Sequence, residues 1–191
     1  MFQESDFGYS DAVGESNDFE SILIRSVPSA GTLTLNGAPV DVDDEVNVTQ
    51  FPDFIYTPAP EASGSNFDSF DFSVRDDRKL ITDIVNTLTF DVAEVNDAPT
   101  AVDDPFDTDE EVVLTGNVLD NDTDIDGDIL SVNTTPVVDP ANGSVQLNTD
   151  GTFTYTPDLN FAGSDSFTYE IDDGRGGTAQ AIADILSLIH I

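Results

Sequence analysis

The chain writes one pattern twice. Phe54-Ile-Tyr-Thr-Pro58 returns as Phe153-Thr-Tyr-Thr-Pro157, with tyrosines 56 and 155 lying 99 positions apart in a chain of 191 residues. The setting returns with it. Upstream, Ala30-Gly-Thr-Leu-Thr-Leu-Asn36 matches Asn142-Gly-Ser-Val-Gln-Leu-Asn148; downstream, Phe70-Asp-Phe-Ser-Val-Arg-Asp76 matches Phe167-Thr-Tyr-Glu-Ile-Asp-Asp173. A repeat of about a hundred residues is too long for a solenoid unit and suits a whole small sandwich, so the pattern predicts two tandem domains.

Within each repeat the period is two. Phe70, Phe72 and Val74 alternate with Asp71, Ser73 and Arg75, while Phe167, Tyr169 and Ile171 alternate with Thr168, Glu170 and Asp172. Leu88, Phe90 and Val92 do the same, as half-buried strands require. Asn36-Gly37 and Asp150-Gly151 supply the positive φ of tight hairpins, and Asp173-Gly-Arg-Gly-Gly177 makes a looser turn. No window has helical periodicity. The expected fold is all-β, two tandem antiparallel Greek-key β-sandwiches of the cadherin or immunoglobulin kind, with six or seven short strands each. Asn96-Asp-Ala-Pro99 marks the boundary, giving domains of residues 1–97 and 98–185 joined by a short linker. The apolar end Leu186-Ser-Leu-Ile-His-Ile191 resembles a translated sequencing adaptor and is set apart as a tail; its alternative is a final strand continuing Ala181 to Ile185. Phe2 to Phe7 reads as the second half of a strand whose first half is missing, which suggests a fragment of a longer protein.

Charge narrows the function. Thirty-nine Asp and Glu against 5 Lys and Arg give a net charge of −34, which calls for screening salt or bound cations and argues against nucleic acid or an anionic membrane as partner. No apolar stretch is long enough to span a bilayer, and the first residues have no leader-like pattern. There is no cysteine and the one histidine, His190, falls in the tail, so disulfides, thiol nucleophiles, ordinary triads and cysteine-ligated zinc are not expected.

The densest charge lies in Asp120-Asn-Asp-Thr-Asp-Ile-Asp-Gly-Asp-Ile-Leu130, where Asp122, Asp124, Asp126 and Asp128 alternate around Gly127. Carboxylates so close repel unless a cation sits between them, and oxygen-only ligands at this spacing suit Ca²⁺. The loop is not an EF-hand: counting from Asp122, position twelve is Asn133 and not the bidentate glutamate required. A second acidic segment, Glu94-Val-Asn-Asp-Ala-Pro99, falls at the domain junction. Scattered aspartates such as Asp41, Asp43 and Asp53 need only turn chemistry. Salt adaptation would spread carboxylates over strand faces, as at Asp71, Asp91 and Glu170, whereas most here lie in loops.

Asn96-Asp-Ala-Pro99, Asn117 to Asp128, Gly151 to Pro157 and Ser166 to Gly174 together resemble the calcium-dependent, cadherin-like tandem repeats of giant bacterial surface adhesins and RTX-type secreted proteins. The resemblance implies Ca²⁺ as the cofactor and a spacer role in adhesion or biofilm attachment. It further implies extracellular localisation, neighbouring repeats of the same chain as partners, and a cell-surface or glycan ligand held by other domains. Carried over residue by residue, it implies metal ligands at Asn96 and Asp97, at Asp103 and Asp104, and at Asp122, Asp124, Asp126 and Asp128. Asp172 and Asp173 rank second. Domain one is diverged: Ser10 to Asp18 replaces the aspartate loop and Asp76-Asp-Arg-Lys79 replaces Asp-Gly, which weakens the case for calcium there.

Catalysis is not expected, because no carboxylate pair stands out from the rest. A carbohydrate-binding module or an accessory domain of a secreted enzyme is the alternative. It lacks tryptophan, and three of the four tyrosines, Tyr56, Tyr155 and Tyr169, fall at core positions and leave Tyr9.

Overall fold

A computed structural model describes residues 2–8, 18–76 and 84–189. The chain forms two compact units, 1–95 and 96–191. Unit 1 contains β1 (Phe19–Ile24), β2 (Gly31–Leu35), β3 (Ala38–Pro39), β4 (Glu45–Asn47), β5 (Phe54–Pro58), β6 (Gly64–Asp76) and β7 (Asn86–Val92). Its sheets run β4-β1-β6-β7 and β3-β2-β5, with every pairing antiparallel. Asn36 and Gly37 adopt φ of 51° and 78°, the left-handed pair that a two-residue β2–β3 hairpin needs. Ile22, Ile24, Leu33, Phe54, Phe70 and Phe72 turn inward from both sheets. Phe7 and Phe51, on short 3₁₀ segments, complete an aromatic core.

Unit 2 contains β8 (Asp104–Asp109), β9 (Leu114–Asn117), β10 (Ser131–Val132), β11 (Gly143–Leu147), β12 (Thr152–Pro157), β13 (Gly163–Asp172) and β14 (Thr178–Leu188). Its sheets run β10-β13-β14-β8 and β11-β12-β9. One pairing departs from the antiparallel rule: β8 lies parallel to β14, with Asp104 opposite Ala183. The first strand thereby covers the edge that the last would otherwise expose. Alternation on β14 buries Ala181, Ala183, Ile185 and Ser187 in turn, and the first three share one core with Phe153, Tyr155 and Phe167.

β14 also passes the boundary drawn at 185. Leu186, Ser187 and Leu188, which the sequence reading set apart, pair with Asp107, Thr108 and Asp109, and the buried Ser187 hydroxyl donates to the Phe161 carbonyl. His190 lies outside the described residues. At the other end the division falls before Asn96, so Asn96 and Asp97 belong to unit 2, where they bond to Asp173 and Asp126.

The repeated motif has a shared physical core. In unit 1, Asp68 is buried and accepts from the backbone N–H groups of Ser29 and Ala30, each at 3.0 Å, from that of Ser69 at 2.9 Å, and from the Tyr56 hydroxyl at 3.0 Å. In unit 2, Asp165 accepts from Ala141, Asn142 and Ser166, each at 2.9 Å, and from Tyr155 at 2.8 Å. Burial alone would raise both carboxyls, but the four donors outweigh it and hold both below the usual carboxylate range. Each tyrosine ring lies against the first glycine of β2 or β11, directly after the two loop residues that donate their N–H groups. A Cβ on Gly31 would sit 2.5 Å from Tyr56, and one on Gly143 would sit 2.6 Å from Tyr155, so each glycine is fixed by close approach.

Candidate metal centre

At the end of unit 2 where the chain enters, the acidic loop and the β13–β14 turn form one hydrogen-bonded ring. Asp124 turns its Oδ1 back onto its own loop, accepting from the N–H groups of Asp126 at 2.8 Å and Asp128 at 3.3 Å. That local turn, with Gly127 at φ 78°, folds the three alternating side chains toward one point. One carboxylate oxygen from each of Asp124, Asp126 and Asp128 lies within 4.8 Å of the others.

The ring closes through the start of the unit. Asp97 donates its N–H to Asp126 Oδ2 at 2.8 Å, and the Asn96 amide donates to Asp173 Oδ2 at 2.7 Å. Asp173 is buried in the turn. Its carboxylate accepts from the Asn96 amide and from the N–H groups of Arg175 and Gly177, which hold it below the usual range. Arg175 in turn reaches Asp128 Oδ2 at 3.2 Å. Gly177 has no room for a side chain between Asp173 and the Ala98 backbone, which explains the last glycine of the turn.

Two acceptors in this ring are left over. Asp124 Oδ2 and Asn96 Oδ1 are buried and have no hydrogen-bond partner among the described residues. An unpaired buried acceptor carries its full desolvation cost, and a cation would remove it. The donor set fits a hard ion: all atoms are oxygens, and ligands 2.3–2.6 Å from a shared Ca²⁺ must lie within about 5 Å of each other. Asp124, Asp126 and Asp128 would hold such an ion.

The remaining predicted ligands are elsewhere. Asp104 and Asp122 converge on the buried Tyr169 hydroxyl, which lies 2.9 Å from Asp104, 3.3 Å from Asp122, and 3.1 and 3.2 Å from the carbonyls of Val118 and Val102. Four acceptors face one proton. Burial raises Asp104 to about 6 against the Tyr169 bond, with further upward push from Asp122, Asp120 and Asp103. Asp122 is raised by burial too, although Val102 N–H and Tyr169 oppose it. Burial, followed by Asp104, drives the Tyr169 phenol far above its ordinary value. Asp103 accepts from Ile182 N–H at 2.8 Å on β14, and Asp172 caps Gly174 N–H at 2.6 Å. Sequence reasoning missed Arg175 and Tyr169 as members of these clusters, and missed Asp68 and Asp165 as clamps. The repeated Asp68-Ser-Phe70 and Asp165-Ser-Phe167 carried the signal for the clamps. In unit 1, residues 10–17 of the segment replacing the aspartate loop, and residues 77–79, lie outside the described residues, as does Tyr9.

Among curated proteins, none matches the sequence. Solved structures are similar at low identity. The endo-fucoidan hydrolase MfFcnA4 from glycoside hydrolase family 107 matches at 22% identity over 91% of this chain and 24% of its own, with a TM-score of 0.38. The human desmocollin-1 ectodomain matches at 16% identity over 95% of this chain and 35% of its own, with a TM-score of 0.43. The chain therefore spans about a quarter of that hydrolase and about a third of that ectodomain. By sequence, residues 96–186 match the model of the family described as Bacterial Ig domain, so unit 2 is similar to an immunoglobulin-like sandwich of bacterial proteins.

Proposed function

We propose that the chain is a non-catalytic spacer from an extracellular bacterial adhesin, in which Ca²⁺ held by Asp124, Asp126 and Asp128 stiffens the joint leading into unit 2. The observation that carries the reading is the ring itself. The same loop that gathers three carboxylates within 4.8 Å also holds Asp97 through Asp126, so an ion there would fix the first residues of the unit together with the loop. Neutralising the cluster would remove repulsion and satisfy the buried Asp124 oxygen. Repetition of one sandwich, whose sequence in unit 2 is similar to a bacterial immunoglobulin-like domain, supports a repeated spacer module.

Affinity should be modest, with a dissociation constant of about 10⁻⁴ to 10⁻³ M, which suits millimolar calcium outside cells. Small-angle scattering of the whole chain, in millimolar Ca²⁺ and in chelator, tests the reading. Calcium should narrow the distribution of molecular extents and raise the melting temperature of unit 2. Identical scattering and melting in both conditions would exclude the spacer mechanism.

A further inference from the structure

Unit 2 carries twenty aspartates and glutamates but a single arginine or lysine, Arg175. Its place is well defined. Asp173 Oδ1 accepts the Arg175 N–H at 2.7 Å, and the flanking Gly174 and Gly176 take φ of 77° and 108°, so the turn presents this residue in one direction. The guanidinium meets Asp128 at 3.2 Å, at the point where carboxylates are gathered most tightly.

This pairing does only part of the neutralisation. Asp124 Oδ2 stays unpartnered with the guanidinium in place. The Arg175 side chain is 38% exposed and Asp128 20%, so the arginine has a path to water that leaves the carboxylate where it is. A guanidinium on a flexible stem also regains hydration when it swings out, which offsets part of the lost pairing.

We infer that Arg175 is a tethered counter-cation that competes with Ca²⁺ for Asp128 and so sets the calcium concentration at which the site fills. The inference rests on the calcium reading above. In the metal-free state Arg175 relieves repulsion in the cluster; on binding, the ion takes Asp128 and the guanidinium withdraws to solvent. The tether lowers apparent affinity and protects the empty site.

Calorimetric titration of the whole chain with CaCl₂ tests this with the wild type, Arg175→Gln and Arg175→Lys. Arg175→Gln should bind roughly two- to fivefold more tightly, the range expected for removing a partly exposed ion pair. It should melt lower than wild type in chelator and equally at saturating calcium. Arg175→Lys, which keeps the charge, should stay within about twofold of wild type. Equal or weaker binding by Arg175→Gln, with calcium bound normally by the wild type, would overturn the competitor role alone. Should the glutamine variant not fold, a lysine variant that shifts affinity beyond that twofold range would overturn it as well. No binding by the wild type would overturn both this inference and the calcium reading.

Discussion

The two units share a clamp and differ in what they build beside it. Asp68 and Asp165 each accept from three backbone N–H groups and a tyrosine hydroxyl, on the same strands and with the same glycine beneath the ring. Four positions further along the repeat the units part. Where unit 2 has Tyr169, facing two carboxylates and two carbonyls, unit 1 has Phe72, packed edge-on against Phe7 at 5.1 Å. The lesson concerns two kinds of aspartate. The clamp carboxylates have all their acceptor capacity used by the protein and serve folding, whereas those of the loop keep unused lone pairs and offer them to a cation.

The largest expected effect breaks the shared part. Asp165→Ala leaves three N–H groups without their acceptor and the Tyr155 hydroxyl with the Asn142 carbonyl at 3.2 Å in place of the carboxylate, and should cost unit 2 about 3 kcal/mol. Asp68→Ala should cost unit 1 a similar amount, and denaturant titrations that found one clamp indispensable and the other dispensable would undo the equivalence. Gly143→Ala and Gly31→Ala test the close approach under each ring, at about 2 kcal/mol apiece, because Tyr155 and Tyr56 must move.

Exchanging the residues that differ sharpens the contrast. Tyr169→Phe should cost about 1 kcal/mol in unit 2 and push Asp104 still higher, since the lost bond was the influence lowering it. Phe72→Tyr should cost unit 1 about 1 kcal/mol or more by burying a hydroxyl among phenylalanines.

The smallest effect is in pH dependence measured in chelator. Burial pushes Asp104 up to about 6 in the folded chain against 3.8 for a free aspartate, so its penalty is present above about 6 and is relieved as pH falls toward 3.8. Unit 2 should gain stability over that window. Asp68 and Asp165 have lowered values, so their contribution is present above 3.8 and is lost as pH falls below it, in both units. Unit 1 has no counterpart to Asp104 among the described residues and should not gain from that source. Melting curves of equal slope for the two units between pH 6 and pH 4 would contradict the assignment.

Much of the fold was legible because strands announce themselves locally. Phe70 to Val74 and Phe167 to Ile171 alternate, Asn36-Gly37 demands its hairpin, and the 99-residue repeat supplies the domain count. What needed three dimensions was pairing across long separations. No local pattern says that β8 joins β14 in parallel, or that alternation beyond Ile185 continues a strand. The site divides likewise. Asp124, Asp126 and Asp128 are close in sequence and fold onto one turn, but Asp104 meets Asp122 only because Tyr169 stands between them. Arg175 was visible as the one cation after Lys79, yet its partner Asp128 lies 47 residues away.

An amide NMR titration of the whole chain with CaCl₂ addresses the central claim most directly. The account predicts saturable shifts concentrated at Asp97, Asp124 to Asp128 and Arg175, with the Asp68 and Asp165 clamps unmoved. Shifts spread evenly over exposed aspartates, or no saturation at millimolar calcium, would show that the loop collects charge without holding an ion.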